Sequence, residues 1–596
     1  MLRAASLILL FCVLLNPAEA QNESTVLWSS FLGGPTEETI RDAAVGPDGL
    51  VTALLLSYPG GDLTLPIPLP PRPGGTGDIL IVRIDPAEPD PTQQVLWARW
   101  LGGSGTEFGG ALALTPEGGC VVVGRTGSTD FPLVNPFDDT APVNQGAFIT
   151  ELDAEGSLVW STFLSGSILG TGLDVEVNDD IVTVVGSTVS SDFPLVNPYD
   201  SSINGGEDYF VAQIQRGVAP TLIWSTFFGG SDSEPNSGAK NALAVRSDGL
   251  IYLAGHTNST NLPVTPGAAQ TQGSPLGYWK GFICLLDPSA TGGSQLISAS
   301  YLGGAGNERI LDLSLDAAGR PIIVGVTTSS DFPTTSGAWI PTIVPPVFST
   351  SGSGFVTVFE EDLSSFAYSS LVGTAASLDI VESVEVSDDG ELVLFGYTNS
   401  TAFPTTPDAA ELSYTGQGNQ SAFITVLNPA GQGADDLVYS SFLGGFVPGY
   451  VSPRLIEPIS PGIFLVAGYC WTTSGTSVLP AEMNAFQQSS TGFDGILSIV
   501  TLPFLGDLFV RGDANLDADV NLADAISILS HLFLIAEVGG CEDARDANDS
   551  GSTDLSDAVT VINLLFTTGG SLPPPFPACG LDETVDTQGC DDTICP

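Results

Sequence analysis

The stretch "VLWSSFLGG", residues 26–34, returns six more times with small changes. The later copies are "VLWARWLGG" (95–103), "LVWSTFLSG" (158–166), "LIWSTFFGG" (222–230), "LISASYLGG" (296–304), "FAYSSLVGT" (366–374) and "LVYSSFLGG" (437–445). Successive copies end 63 to 74 residues apart, and there is no eighth. A period of that length marks a repeat architecture in which each unit is one supersecondary motif.

Every interval has the same internal order. Two apolar runs flank a small turn, as in "ALALTPEGGCVVVGRT" (111–126) and "ALAVRSDGLIYLAGHT" (242–257). Turns such as "PEG", "SDG" and "DDG" suit tight hairpins, because Gly accepts positive φ and Asp bonds its own backbone. A Pro-rich loop follows, for example "STDFPLVNPF" (128–137), then a third run such as "GAFITELD" (146–153), then the aromatic phrase. That makes four strands per repeat, with no helical periodicity between residues 26 and 503.

Seven four-stranded units predict an all-β seven-bladed β-propeller, whose radial blades leave only short edges. Trp28 and Phe31, Trp97 and Trp100, Trp160 and Phe163, and Trp224 and Phe227 are each three apart. In a strand such residues point to opposite faces, which places an aromatic against both neighbouring blades. The last repeat has first (about 452–457), second (about 461–468) and third (about 493–500) strands but no aromatic phrase after them. Its missing fourth strand is the phrase left over at the N-terminus, residues 25–32. The ring is therefore expected to close three-plus-one, which removes two open sheet edges.

The region 26–500 resembles the extracellular seven-bladed beta-propeller (SBBP) repeat family, whose signatures are "YSTYLGG", "DxxGNxYVTGxT", "DFP" and "DAFVxKL". The resemblance implies a scaffold or binding role and no fixed chemistry. Blade 1 departs by the insertion "LPIPLPPRPGG" (65–75), and blade 7 around "GYCWTTSGTSVLP" (468–480).

Residues 1–20 read as an export signal: Arg3, the apolar run "LILLFCVLL" (7–15), and "AEA" before a cleavage point between Ala20 and Gln21. That run is too short for a membrane span, which takes about 20 apolar residues. The expected location is secreted or on the cell envelope. Fifteen basic residues face 68 acidic ones, a formal charge of −53, which repels nucleic acid and anionic membranes.

A residue shared by every blade is expected to be structural, so the DFP carboxylates Asp130, Asp192 and Asp331 should brace loops. His256 stands alone where other blades carry Arg125, Ser187, Val326 and Tyr397. With only His256 and His531 in the chain, a His-rich metal centre or Ser-His-Asp triad has no material. No HExxH, P-loop or GxSxG occurs, and no catalytic residues are assigned. Cys120, Cys284 and Cys470 are expected to be buried thiols.

After a linker at 504–512 the pattern changes. "DANLDADVNLAD" (513–524) and "DANDSGSTDLSD" (546–557) each lead into a helical run. Their oxygen-bearing residues have the spacing with which an EF-hand loop wraps Ca²⁺, position 7 giving a backbone carbonyl. One site would use Asp513, Asn515, Asp517, Asp519 (by its carbonyl) and Asp524. The other would use Asp546, Asn548, Ser550, Ser552 (by its carbonyl) and Asp557. Ala518 at position 6 and Ser550 at position 5 depart from the EF-hand pattern.

Asp at position 12, with no helix before each loop, makes residues 513–570 resemble a dockerin type I module. The resemblance implies docking to a cohesin-like or other envelope or secreted protein, through loop positions 10 and 11 and the following helix. Those positions are Leu522 and Ala523, then Leu555 and Ser556, not the Ser/Thr pairs of cellulosomal dockerins. "RGD" (511–513) overlaps the first Ca²⁺ ligand, which disfavours an adhesive reading. Cys541 and the three Cys of the tail, 571–596, allow three pairings, of which Cys541–Cys579 with Cys590–Cys595 is favoured.

The expectation is a propeller (21–503) presenting a protein or carbohydrate binding surface, carried on a Ca²⁺-dependent docking module. The rivals are a polysaccharide-degrading enzyme, or a component of such a complex, and a structural envelope protein.

Overall fold

The β-branched runs and Gly-containing turns form seven four-stranded antiparallel sheets, each of the first six built from strands consecutive in sequence. The computed structural model describes residues 26–576, except 35, 60–62, 64, 235–241, 274–276, 344–351, 376, 388, 408, 413–419, 444–449, 461, 472–476, 479–484, 491–492, 503–509, 516–519, 535–541, 551–552, 567–571 and 574–575. Blade 1 runs Glu38–Val45, Val51–Ser57, Asp78–Ile84 and Val95–Leu101. The seventh blade is Tyr450–Ser460, Ile463–Trp471, Phe493–Thr501 and, as its fourth strand, Val26–Leu32.

That last pairing is antiparallel, with Ser30 opposite Leu497 and Phe31 opposite Ile496. Ser29 Oγ also donates to the Leu497 carbonyl at 3.1 Å. The three-plus-one closure is thus observed, and the seven-bladed ring with it. Residues 1–25, which include the stretch read as an export signal, lie outside the described residues.

Apolar side chains of each blade interdigitate with the next, so one cluster spans blade 7, blade 1 and the aromatic phrase. Trp28, Phe31, Trp160 and Phe163 are each at most 2% exposed. Blade 1 departs from that expectation: Trp97 and Trp100 are half-buried. There Trp97 Nε1 donates to the Ala154 carbonyl at 2.8 Å, and the Arg72 guanidinium covers the Trp100 ring at 5.3 Å. The insertion in blade 1 supplies Arg72, which explains the change in packing.

The DFP carboxylates brace loops as expected. Asp130 accepts from the Ser104 backbone N–H at 2.8 Å, Asp192 from Ser167 at 2.9 Å and Asp331 from Ala305 at 2.8 Å. Cys120, Cys284 and Cys470 are buried and unbridged, and burial pushes the Cys120 thiol up to about 12.

Among the described residues three helices follow the ring: α1 (Leu522–Leu534), the one-turn α2 (Glu542–Arg545) and α3 (Leu555–Phe566). The α2 turn corrects the expectation of no helix before the second loop. Helices α1 and α3 pack through Ala514, Ala525 and Ile528 and their counterparts 33 residues on, Ala547, Ala558 and Val561. Val510 and Arg511, assigned to the linker, are buried in this unit, and Leu572 of the tail joins its core. Arg511 is fully buried, donates to the Asp546 carbonyl at 2.9 Å and pairs with Asp549, so "RGD" presents no guanidinium to solvent. Cys541, Cys579, Cys590 and Cys595 lie outside the described residues. No helix among the described residues is long and apolar enough to cross a membrane.

Candidate functional sites

In each C-terminal loop, position 12 doubles as the third residue of the helix that follows. Asn521 caps α1 by accepting from the Ala523 N–H at 2.8 Å, while Asp524 accepts from the Asn521 N–H at 2.7 Å. Asp554 and Asp557 repeat this reciprocal capping box at α3 with distances of 2.6 and 2.7 Å. The other oxygen of each position-12 carboxylate turns back into its loop, Asp524 Oδ1 to the Asn515 N–H at 3.1 Å and Asp557 Oδ1 to the Asn548 N–H at 3.0 Å. Capping thus aims both carboxylates inward.

Asp513, Asp524, Asp546 and Asp557 are all at most 1% exposed. Burial first, and then the charge of Asp546, pushes the Asp557 carboxyl up to about 6. Crowded buried carboxyls of this kind fit a hard cation with oxygen ligands. The described donors of the second loop are Asp546, Asn548, Ser550 and Asp557; Ser552 lies outside the described residues. Of the first loop, Asp513, Asn515 and Asp524 are described, while Asp517 and Asp519 lie outside. No group of three or more His, Cys, Asp or Glu side chains among the described residues is placed to hold a metal.

The residues at loop positions 10 and 11 are exposed: Leu522 (47%), Ala523, Leu555 (55%) and Ser556. The structure adds Ile526 and Phe533 on α1 and Val559 and Phe566 on α3, again exposed and again 33 residues apart. Sequence reasoning stopped at positions 10 and 11. The i, i+4 spacing of 522 and 526 was the available signal.

In the ring, the innermost strands carry a second set of functional groups. They enclose a channel cavity of about 670 Å³. A bulge in each inner strand of blades 1, 3 and 5 precedes an Asp. These residues reach across to the next blade. Asp42 accepts from the Leu112 N–H at 2.7 Å, Asp174 from Leu243 at 3.0 Å and Asp312 from Val384 at 3.0 Å. Ser383 donates to Asp312 at 2.6 Å and accepts from the Ile456 N–H at 3.3 Å, carrying the brace into blade 7. Glu176, Glu385 and Glu457 line the channel below. Burial pushes Glu176 up to about 7, and burial plus the charge of Asp312 pushes Glu385 up to about 8.

A third set sits between blades. Glu107 and Glu308 open the inner strands of blades 2 and 5, and Glu234 precedes that of blade 4, each accepting from a Thr and a Ser hydroxyl of its own blade, as with Thr126 (2.7 Å) and Ser128. Glu107 faces Asp78 and Glu234 faces Asp208, each from the blade before. At the blade 4–5 boundary Lys280 replaces the second acid beside Glu308. Asp208 Oδ1 and Glu234 Oε2 are buried without a hydrogen-bond partner, and burial followed by the Asp208 charge pushes Glu234 up to about 8. Both oxygens lie 2.7 Å from where a Cβ on Gly229 would sit. The first Gly of the repeated phrase is therefore obligatory there. Gly229→Ala is expected to destabilise the ring by about 1–3 kcal/mol through overpacking, read as a fall in calorimetric Tm; an unchanged Tm would mean the pair has room.

No family model matches the chain. No curated protein matches it either. Among solved structures, a Dyadobacter fermentans protein of unknown function aligns at 10% identity and TM-score 0.35, over 80% of this chain and 99% of its own. A Bacteroides caccae protein of unknown function aligns at 8% identity and TM-score 0.29, over 61% and 90%. Quinohemoprotein alcohol dehydrogenase from Comamonas testosteroni aligns at 10% and 0.34, over 85% and 82%. Similarity at this level bears on neither ligand nor chemistry.

Proposed function

We propose that the chain is an exported, non-enzymatic binding protein whose propeller presents a recognition surface and whose C-terminal unit folds around two Ca²⁺ ions to dock onto a partner protein. The observation that carries this reading is the duplicated arrangement of buried loop carboxylates leading into helices with matching exposed apolar residues. Ca²⁺ would be held by Asp513, Asn515, Asp517, Asp519 and Asp524, and by Asp546, Asn548, Ser550, Ser552 and Asp557. Bound there, it would neutralise the crowded carboxyls and hold the loops in register with α1 and α3. Leu522, Ile526 and Phe533, with Leu555, Val559 and Phe566, then offer an apolar surface of the kind that marks protein–protein contact.

The test uses the full chain. Ca²⁺ at about 100-fold above Kd adds about 2.7 kcal/mol per site, so chelation is expected to lower the helical circular dichroism and the melting point of the C-terminal transition. Asp546→Asn should weaken Ca²⁺ binding measured by calorimetry. Ile526→Asp with Val559→Asp should abolish Ca²⁺-dependent capture of a discrete envelope or secreted protein and leave Ca²⁺ binding intact. A C-terminal transition indifferent to chelator would sink the metal reading, and capture unaffected by the apolar substitutions would sink the docking surface.

A further inference from the structure

We propose that the buried acid pair Asp208 and Glu234, where blades 3 and 4 meet, binds a hard divalent cation such as Ca²⁺ and through it ties the two blades together. The inference concerns the ring alone and does not rest on the C-terminal loops.

Asp208 opens the third strand of blade 3, Asp208–Gln215, and Glu234 precedes the inner strand of blade 4, Ala242–Val245. Both side chains are fully buried. Each carboxylate has one oxygen satisfied within its own blade. Asp208 Oδ2 accepts from the Asn204 N–H at 2.9 Å. Glu234 Oε1 accepts from the hydroxyls of Thr257, at 3.0 Å, and Ser259. The other two oxygens, Asp208 Oδ1 and Glu234 Oε2, have no hydrogen-bond partner in the ring. They converge. Each is 2.7 Å from the one point where a Cβ on Gly229 would sit, and the two carboxyls are close enough to share a proton. Ca²⁺ holds its oxygen ligands at about 2.3–2.6 Å, so one ion can reach both. Gly229, lacking a Cβ, leaves the space beside them open.

The other blade boundaries identify what this one lacks. Between blades 1 and 2 the equivalent acids are Asp78 and Glu107, again bonded to each other. There the blade 1 insertion delivers Arg72, whose Nε lies 2.5 Å from Asp78 Oδ2. Between blades 4 and 5 Lys280 stands at the position of Asp208, opposite Glu308. Its Nζ donates to the Gly304 carbonyl at 2.7 Å. Both boundaries thus carry a cation of the chain's own. Between blades 3 and 4 no basic side chain among the described residues is paired with either acid. The further charge acting on Asp208 is another acid, Asp200. Where blade 7 meets blade 1, Asp494 faces Glu38 and has other partners.

Charge balance selects the ion. Lys280 with Glu308 is neutral, and Arg72 with Asp78 and Glu107 becomes neutral once the two acids share one proton. Asp208 with Glu234 brings two negative charges and no positive one, and burying such a pair uncompensated is costly. A divalent cation cancels both charges. The donors are all oxygens, with no His or Cys, which suits Ca²⁺ or Mg²⁺. The Gly230 carbonyl closes the repeated phrase in blade 3 as the Gly304 carbonyl does in blade 4. Since the latter accepts from Lys280, the former offers the ion a third oxygen. A shared proton is the competing occupant, so the ion binds more tightly as pH rises.

The test compares full-length chains freed of metal by chelation, at pH 8.5. Calcium chloride and magnesium chloride are titrated separately by calorimetry, and the melting point of the propeller transition is followed alongside. Asp208→Asn with Glu234→Gln keeps the side-chain volumes and removes both charges. Wild type is expected to take up one more equivalent of at least one of the ions than this variant, and its propeller transition alone to rise with that ion. The C-terminal loops are identical in the two chains, so ions bound there cancel from the difference. Asp208→Lys copies the boundary of blades 4 and 5. It is expected to melt above metal-free wild type and to show no ion-dependent shift of the propeller transition. Equal uptake by wild type and the double variant overturns the proposal, as does a wild-type propeller transition that neither ion shifts. Wild-type uptake retained in Asp208→Lys overturns it as well, and decides the matter if the double variant fails to fold.

Discussion

Phe31→Ala is expected to destabilise the propeller by about 3–5 kcal/mol, enough to bring a marginal fold close to unfolding. Phe31 is fully buried against Cys470 and Ala485 of blade 7, and its backbone N–H donates to the Gln487 carbonyl at 3.1 Å. The strand it belongs to pairs the N-terminal end of the ring with the third strand of the last blade. Without it, Phe493–Thr501 becomes an open edge. A chain beginning at residue 36 should therefore unfold with low cooperativity, and a peptide spanning residues 24–34 added in excess should restore a sharp transition. A cooperative, fully stable chain without that segment would show that the other six interblade packings suffice.

The second large effect is on pH. Glu176 titrates at about 7, Glu234 at about 8 and Glu385 at about 8, against 4.5 in the unfolded chain. Between those limits the folded state keeps protons that the unfolded state has lost, so stability falls as pH rises. Each such carboxyl costs about 1.4 kcal/mol per pH unit over that window. The loss begins near pH 5 and levels off above pH 8. The groups that face these carboxyls act in the same direction or are remote: Asp42, Asp174, Asp312 and Glu457 share the channel, Asp208 shares the pair with Glu234, and Arg41 and Arg454 lie at the far mouth.

Denaturant titrations at pH 5.5 and 8.5 would measure the difference. In Glu176→Gln with Glu385→Gln the slope is expected to shrink and stability at pH 8.5 to rise, since an amide oxygen can still accept the Val245 N–H that Glu176 takes at 3.1 Å. Glu234→Gln should act likewise, its amide N–H donating to Asp208. A wild-type stability that is flat across the window would reject the buried-proton account.

Blade number, strand order and ring closure were legible in the chain because they depend on local alternation and on counting seven copies of one phrase. Period-two patterning survives any arrangement of neighbours, and an unpaired fourth strand at one end has a single vacancy to fill. The oxygen-bearing residues proposed for Ca²⁺ at 513–524 and 546–557 are likewise a local pattern, each set lying within twelve residues. Tertiary structure alone decided which side chains meet from different blades. Asp42 reaches Leu112 and Asp174 reaches Leu243 across some 70 residues of sequence, and Glu234 meets Asp208 only because adjacent blades pack edge to edge. Arg41 and Arg454 act on each other because both are bulge residues and ring closure brings blade 7 beside blade 1. A bulge is one extra residue with no compositional mark, and closure sets distances that no sequence spacing contains.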